Sequence, residues 1–237
     1  NILYAKQGNI IPFFYKIEKK KKWLPYFAKD LFKTYISQYL CFKLGKSEYS
    51  RFILTLSRAK EICKHQKCNK LLRVIEDFEE IFASKESDLI WSFVQKFPHR
   101  FASLTGQYFV QIIDEFQYIN NKICRDKECT DVINDLAASY LHFSESKVAP
   151  LLVSGSYIGW LKGILNLQLP GRFYICNLQS FNQEECVELI KKYSKIYNVP
   201  ITNETSIFIN NLTDSNPFYI SILLKSEKKK KNLTTQK

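Results

Sequence analysis

The chain has 237 residues, 46% hydrophobic and 24% charged, a balance that excludes disorder and collagen-like repeats and leaves enough apolar mass for a buried core. With 18 Phe, 14 Tyr and 3 Trp against only 7 Gly and 7 Pro, a helix-rich fold is favoured over a loop-dominated or many-turned β architecture. Lys and Arg number 35 and Asp and Glu 23, and the net charge of +12 either attracts phosphate-bearing partners or keeps the protein soluble.

In chain order, Gly8 reads as the stop of a helix whose last turn is 2–6, and 10–17 is a β-rich apolar run. Lys19 to Lys22 is a charge run in a loop. Leu24, Phe27, Leu31, Phe32, Tyr35, Ile36, Tyr39 and Leu40 then recur at helical spacing. The helical period continues over 51–64, 71–83 and 88–97, up to an expected break at Pro98. Gly106 introduces a strand over 108–113 that ends in Asp114-Glu115, a helix is expected over 131–143, and apolar runs at 149–153 and 172–178 read as two further strands. Strands alternating with helices predict a mainly parallel sheet covered by helices on both faces. Beyond 178 the pattern is helical: Asn182 and Glu185 form an N-cap pair opening 183–197, followed by helices at 204–212 and 217–225 and a frayed basic tail over 226–237. The expected organisation is a core over 1–178, a helical lid over 179–225 and that tail.

The chain begins at Asn1 and contains no Met, which predicts a processed product or an interior piece of a longer one. Residues 1–8 are too short and polar for a signal peptide, and no apolar run approaches the roughly 20 residues of a membrane span. Seven Cys, an odd number, point to reduced thiols, so a soluble cytoplasmic protein without disulfides is expected.

The apolar run Gln111-Ile-Ile followed by Asp114-Glu115 is the pattern of a Walker B segment. A strand end holds Asp114 where it can orient Mg²⁺ through its water shell, and Glu115 can polarise a water for attack on a γ-phosphate. An acidic pair capping a strand at the surface is the competing reading. Asp114-Glu-Phe-Gln-Tyr-Ile119, Leu151-Leu-Val-Ser-Gly-Ser156, Pro170-Gly-Arg172 and Ser215-Asn-Pro-Phe-Tyr-Ile220 follow in that order. In these motifs the chain resembles the AAA-like P-loop ATPases of the archaeal-type ATPase family, over roughly 10–224. The resemblance implies a P-loop NTPase-like parallel sheet flanked by helices with a small helical lid, and ATP and Mg²⁺ as cofactors. It implies that Ser154 or Ser156 senses the γ-phosphate or the attacking water, that Arg172 approaches the nucleotide as a trigger or finger, and that Asn216 lies in the lid. Ser215 departs from the Gly usual in that family.

No phosphate loop of the form G-x-x-x-x-G-K-[ST] occurs. Leu44-Gly45-Lys46-Ser47 is a decoy, because Leu40 stands where its first Gly is required and a helix precedes it. The resemblance puts the first strand and the phosphate loop immediately before the run at 10–17, so the chain is expected to start just after them. Cys63 and Cys68, with His65 between them, and Cys124 and Cys129 are too widely spaced for structural zinc, and the cysteines read as free thiols. The Lys runs 19–22 and 228–231 lack interleaved aromatics in sequence and read as solvated loop and tail. A nucleotide partner is therefore expected in the longer product, with a protein partner or a second copy possible and nucleic acid weakly supported. The alternative function is a non-enzymatic basic interaction module. One prediction follows from the missing loop: chain 1–237 alone does not turn over ATP, because the electrostatic clamp on the phosphates dominates phosphoryl transfer. A Mg²⁺-ATPase assay checks it, and turnover abolished by Glu115→Gln would overturn it.

Overall fold

The computed structural model describes residues 10–176 and 181–234, the side chains of 227–234 excepted. It divides into two compact units, Asn1–Tyr174 and Ile175–Lys237. The helix end expected at 2–6 lies outside the described residues.

In the first unit, β1 (Ile10–Lys16), β3 (Tyr108–Asp114) and β5 (Leu151–Val153) form a parallel sheet in the order β1-β3-β5. β2 (Lys22–Trp23) and β4 (Ile123–Cys124) make a separate two-residue parallel pair that the sequence reading missed. The helices are α1 (Leu24–Leu44), α2 (Glu48–Arg51), α3 (Leu56–His65), α4 (Asn69–Ser84), α5 (Ser87–Thr105) and α6 (Ile158–Gln168).

The alternating positions Ile11, Phe13, Phe109, Gln111 and Ile113 are buried on one sheet face. Against them packs the stripe of α1 that recurs at three and four residues, from Phe27 through Leu31 and Tyr35 to Tyr39. Phe13 stacks on Phe109 at 4.8 Å and lies 4.8 Å from Tyr35. The buried Gln111 is satisfied from two sides: its Oε1 accepts from Tyr35 Oη at 3.3 Å and its Nε2 donates to the Ala149 carbonyl at 3.0 Å. On the other face Phe14, Tyr108 and Leu152 are about half exposed. Helices on both faces were expected; among the described residues the sheet is helix-covered on one.

Three boundaries differ from the sequence reading. α5 runs through Pro98 to Thr105 because Phe93, Phe97 and Phe101 continue one buried stripe, and that packing outweighs the hydrogen bond lost at proline. The helix expected at 51–64 is broken at Phe52, and α3 begins after Thr55, whose side chain caps the Arg58 amide at 3.2 Å. Residues 131–143 hold no α-helix: Val132 bridges Cys124 and Leu136–His142 is a 3₁₀ segment. α6 was missed, since its apolar residues and its glycines at 159 and 163 show no clean period. Gly45 ends α1 in the left-handed conformation, φ 67°, so helix and not strand precedes Lys46-Ser47.

The strand expected at 172–178 is absent over the described part, 172–176, where Tyr174 is 94% exposed, and 177–178 lie outside the described residues. Among the described residues β5 ends the sheet.

In the second unit, α7 (Gln183–Tyr197) opens with a capping box between Asn182 and Glu185. α8 (Asn203–Thr213) and α9 (Pro217–Thr234) complete it around Cys186, Ile190, Ile209, Ile220 and Leu224. The helix persists to Thr234, where a frayed tail after 225 was expected.

Among the described residues β1 is the opposite edge of the sheet, and Gln38 closes it. Its Oε1 accepts from the Phe14 amide and its Nε2 donates to the Phe14 carbonyl, both at 2.7 Å. Gln38→Leu leaves both backbone groups unpaired and is expected to lower unfolding free energy by about 1–3 kcal/mol per group, read by urea denaturation. An unchanged midpoint would contradict that role.

Candidate active site

The parallel register brings three strand ends together. Lys16 lies beside Asp114 across β1 and β3, and Val153 beside Ile113 across β3 and β5. The segments that leave these ends, Asp114-Glu115 and Ser154-Gly155-Ser156, therefore meet. Glu115 turns the chain sharply with φ 57°, a left-handed conformation unusual for a residue with a Cβ, and leads into the 3₁₀ turn Phe116–Tyr118. Two backbone bonds lock this turn to the neighbouring segment: the Phe116 amide donates to the Ser154 carbonyl and the Ser154 amide to the Ile113 carbonyl, each at 3.0 Å. The fully buried Phe116 anchors it.

Each carboxylate has its own serine. Ser154 Oγ donates to Asp114 Oδ1 at 2.8 Å, and that oxygen also accepts from the Glu115 amide at 3.0 Å. Ser156 Oγ donates to Glu115 Oε2 at 2.9 Å, joined there by Gln117 Nε2 at 2.5 Å. Lys16 Nζ stands 3.4 Å from Asp114 Oδ2 and 3.9 Å from Glu115 Oε1. Gln117 is 1% exposed, and its Oε1 has no hydrogen-bond partner among the described residues. That carboxamide rests on Gly155: a Cβ there would collide with Gln117 Oε1 and reach its Cδ at 3.0 Å. Glycine between the two serines thus admits the side chain that holds Glu115.

Burial pushes the Asp114 carboxyl up, but the Ser154 hydroxyl, the Glu115 amide and Lys16 outweigh it and hold the group below its ordinary value. Burial likewise raises Glu115, and hydrogen bonds from Gln117 and Ser156 outweigh it and bring the group below its ordinary value. Both are ionised at neutral pH. Asp114 with Ser154 offers hard oxygen donors that suit a cation keeping most of its water, as Mg²⁺ does. No group of three or more His, Cys, Asp or Glu side chains able to hold a metal gathers among the described residues.

Of the residues expected to act together, Asp114, Glu115, Ser154 and Ser156 converge, and the two serines divide between the two acids. Arg172 does not join them; its guanidinium pairs with Glu145. Asn216 belongs to the second unit, where its Oδ1 accepts from the Phe218 amide at 3.0 Å and its carbonyl from the Ile220 amide at 3.1 Å, capping α9. Sequence reasoning missed Lys16 and the part played by Gln117. The signals were present, in a lysine closing the first strand run and a glutamine at the end of Asp-Glu-Phe-Gln.

Compared with protein-family models, with curated proteins and with solved structures, the chain matches none. No helix of the described residues is long and apolar enough to cross a membrane.

Two outcomes are expected. Gly155→Ala displaces the Gln117 carboxamide and raises the Glu115 pKa, as read by NMR titration of its carboxyl; an unmoved titration would contradict the contact. Both carboxyls titrate lower folded than unfolded. Their stabilisation is therefore present above the ordinary carboxylate range and is lost as pH falls through their folded values. In an acid-unfolding series the double variant Ser154→Ala/Ser156→Ala should flatten this dependence, and an unchanged profile would contradict it.

Proposed function

We propose that this chain carries the Walker B and sensor segments of an AAA-like P-loop ATPase that binds and hydrolyses ATP with Mg²⁺ in the cytoplasm. One observation carries the reading: two consecutive carboxylates at the end of a central parallel strand, each held by a different serine from the end of the adjacent strand.

In this reading Asp114 would hold Mg²⁺ through its water shell, and the ion would supply positive charge against the phosphate oxygens. Glu115, ionised and aimed by Ser156 and Gln117, accepts the proton of the attacking water. Ser154 and Ser156 tie the state of both acids to the β5 loop. Lys16 neutralises part of the acidic charge while no cation is bound. Further support comes from sheet order. In such ATPases the strand that leads into the phosphate loop lies between the sensor strand and the strand after it, and here no strand among the described residues pairs with the outer edge of β5, where Leu152 is 55% exposed. Ser215 adopts φ 56°, the region that favours the glycine usual at this place in the family. Arg172, held by Glu145, would need to exchange partners before it could act as a trigger.

The test uses the gene product that includes this chain. Glu115→Gln should keep nucleotide affinity and lose about 10²–10⁴ in turnover, because an amide cannot accept the water's proton. Asp114→Ala should impair the Mg²⁺-dependent step. If both variants hydrolysed ATP at the parental rate, the carboxylates would be structural and a basic interaction module would be the better account.

A further inference from the structure

The lysine run at 19–22 lacks aromatic neighbours in sequence, but folding supplies them from elsewhere. The Lys22–Trp23 strand pairs with Ile123–Cys124, and the Lys22 amide donates to the Lys122 carbonyl at 2.8 Å. Lys19 Nζ lies over the Tyr157 ring at 5.8 Å, Lys122 Nζ over Tyr118 at 6.0 Å and Lys127 Nζ over Trp23 at 5.0 Å. Tyr118 meets Tyr157 edge-on at 6.2 Å, and Tyr157 stacks on Trp160 at 5.1 Å with 21° between planes. Trp23 meets Tyr26 edge-on at 5.3 Å. Segments 19–26, 118–127 and 157–160 thus make one strip in which ammonium groups and rings alternate.

We propose that this strip binds single-stranded nucleic acid, bases stacking on Tyr157 and Trp160 and lysines following the phosphates. Tyr157 is 46% and Trp160 55% exposed, so about half the surface of this stacked ring pair is open to solvent and to a stacking base. Charge selects the partner. The acids bordering the strip are engaged, Glu18 and Asp30 with Lys22 and Asp131 with Arg125, and the one acid within it, Asp126, accepts from the Thr130 and Asp131 amides. Lys19, Lys20, Lys122 and Lys127 have no ion-pair partner among the described residues, which leaves the excess charge positive. A flat ring pair beside unpaired cations suits a polymer with exposed bases and a charged backbone, whereas a duplex would hide those bases. The strip adjoins the candidate site on both sides, since Tyr118 closes the turn after Glu115 and Tyr157 follows Ser156. The proposal stands without the ATPase reading, and its test uses no ATP.

Trp23 and Trp160 are two of the chain's three tryptophans, and Trp91 is only 5% exposed, so intrinsic fluorescence reports the strip. The 237-residue chain is titrated with oligo-dT and oligo-rU at several salt concentrations. Saturable quenching is expected, with log affinity falling against log salt by about 0.7 per phosphate contact. Tyr157→Ala/Trp160→Ala should lose about 5- to 150-fold in affinity, followed by labelled oligonucleotide, while Tyr157→Phe/Trp160→Phe retains most of it. Lys19→Ala/Lys20→Ala should reduce the salt slope. Equal binding of the two oligomers assigns recognition to stacking and charge, and a preference for oligo-rU adds the 2′-hydroxyl; both support the proposal. Absence of quenching at low salt would overturn it, as would ring-deleted variants that bind normally with native circular dichroism, or an acidic polyglutamate that competes as well as the oligomers.

Discussion

The parallel pairing of β3 with a neighbour on each side is the constraint from which the rest of the structure follows. It places Lys16, Asp114 and Val153 at one level, so the residues that continue each chain must share a small volume. Two like charges on consecutive residues in that volume repel each other, and the fold answers with four side-chain donors, two hydroxyls, a carboxamide and an ammonium, and with the Glu115 amide. The left-handed turn at Glu115 is what separates the two side chains enough for each to find its own serine. Strain in the backbone and satisfaction of the carboxylates are parts of one arrangement.

Much of this was legible in the residues. The strand ending in Asp114-Glu115 was readable because an apolar run terminates abruptly in charge, and α1 because its apolar stripe keeps its period for five turns and ends in Gly45. Asn182 and Glu185 announced the start of α7 by capping chemistry alone. What failed did so for physical reasons. Pro98 was read as a stop, but the phenylalanines on either side bury a common face whose packing outweighs one missing hydrogen bond. The run at 172–178 has strand composition yet finds no partner over 172–176, and composition without a partner does not make a strand. Lys16 escaped notice because its relevance depends on register between segments about a hundred residues apart, which no local pattern records. Gln117 escaped because its role depends on the absent side chain at Gly155.

Charge is distributed with the same economy. The surplus of +12 is not a uniform coat. Lys16 is held against the two acids, Lys22 and Arg125 are bound to carboxylates, and several of the remaining lysines lie over aromatic rings, where their aliphatic stems cover apolar surface and their charge faces the ring. The turn Phe116–Tyr118 links the two regions: one end is fixed by the carboxylates and the other offers Tyr118 to Lys122 and Tyr157.

The proposal that Glu115 accepts the proton of the attacking water, aimed by Ser156, implies that Ser156 acts on water activation only through Glu115. A double-mutant cycle on kcat for ATP, in the gene product carrying this chain, measures it directly: Ser156→Ala, Glu115→Gln and the pair together. The account predicts that loss of the serine slows the parental enzyme but adds little once Glu115 is already an amide. Fully additive losses, or a serine variant indistinguishable from the parent, would contradict it.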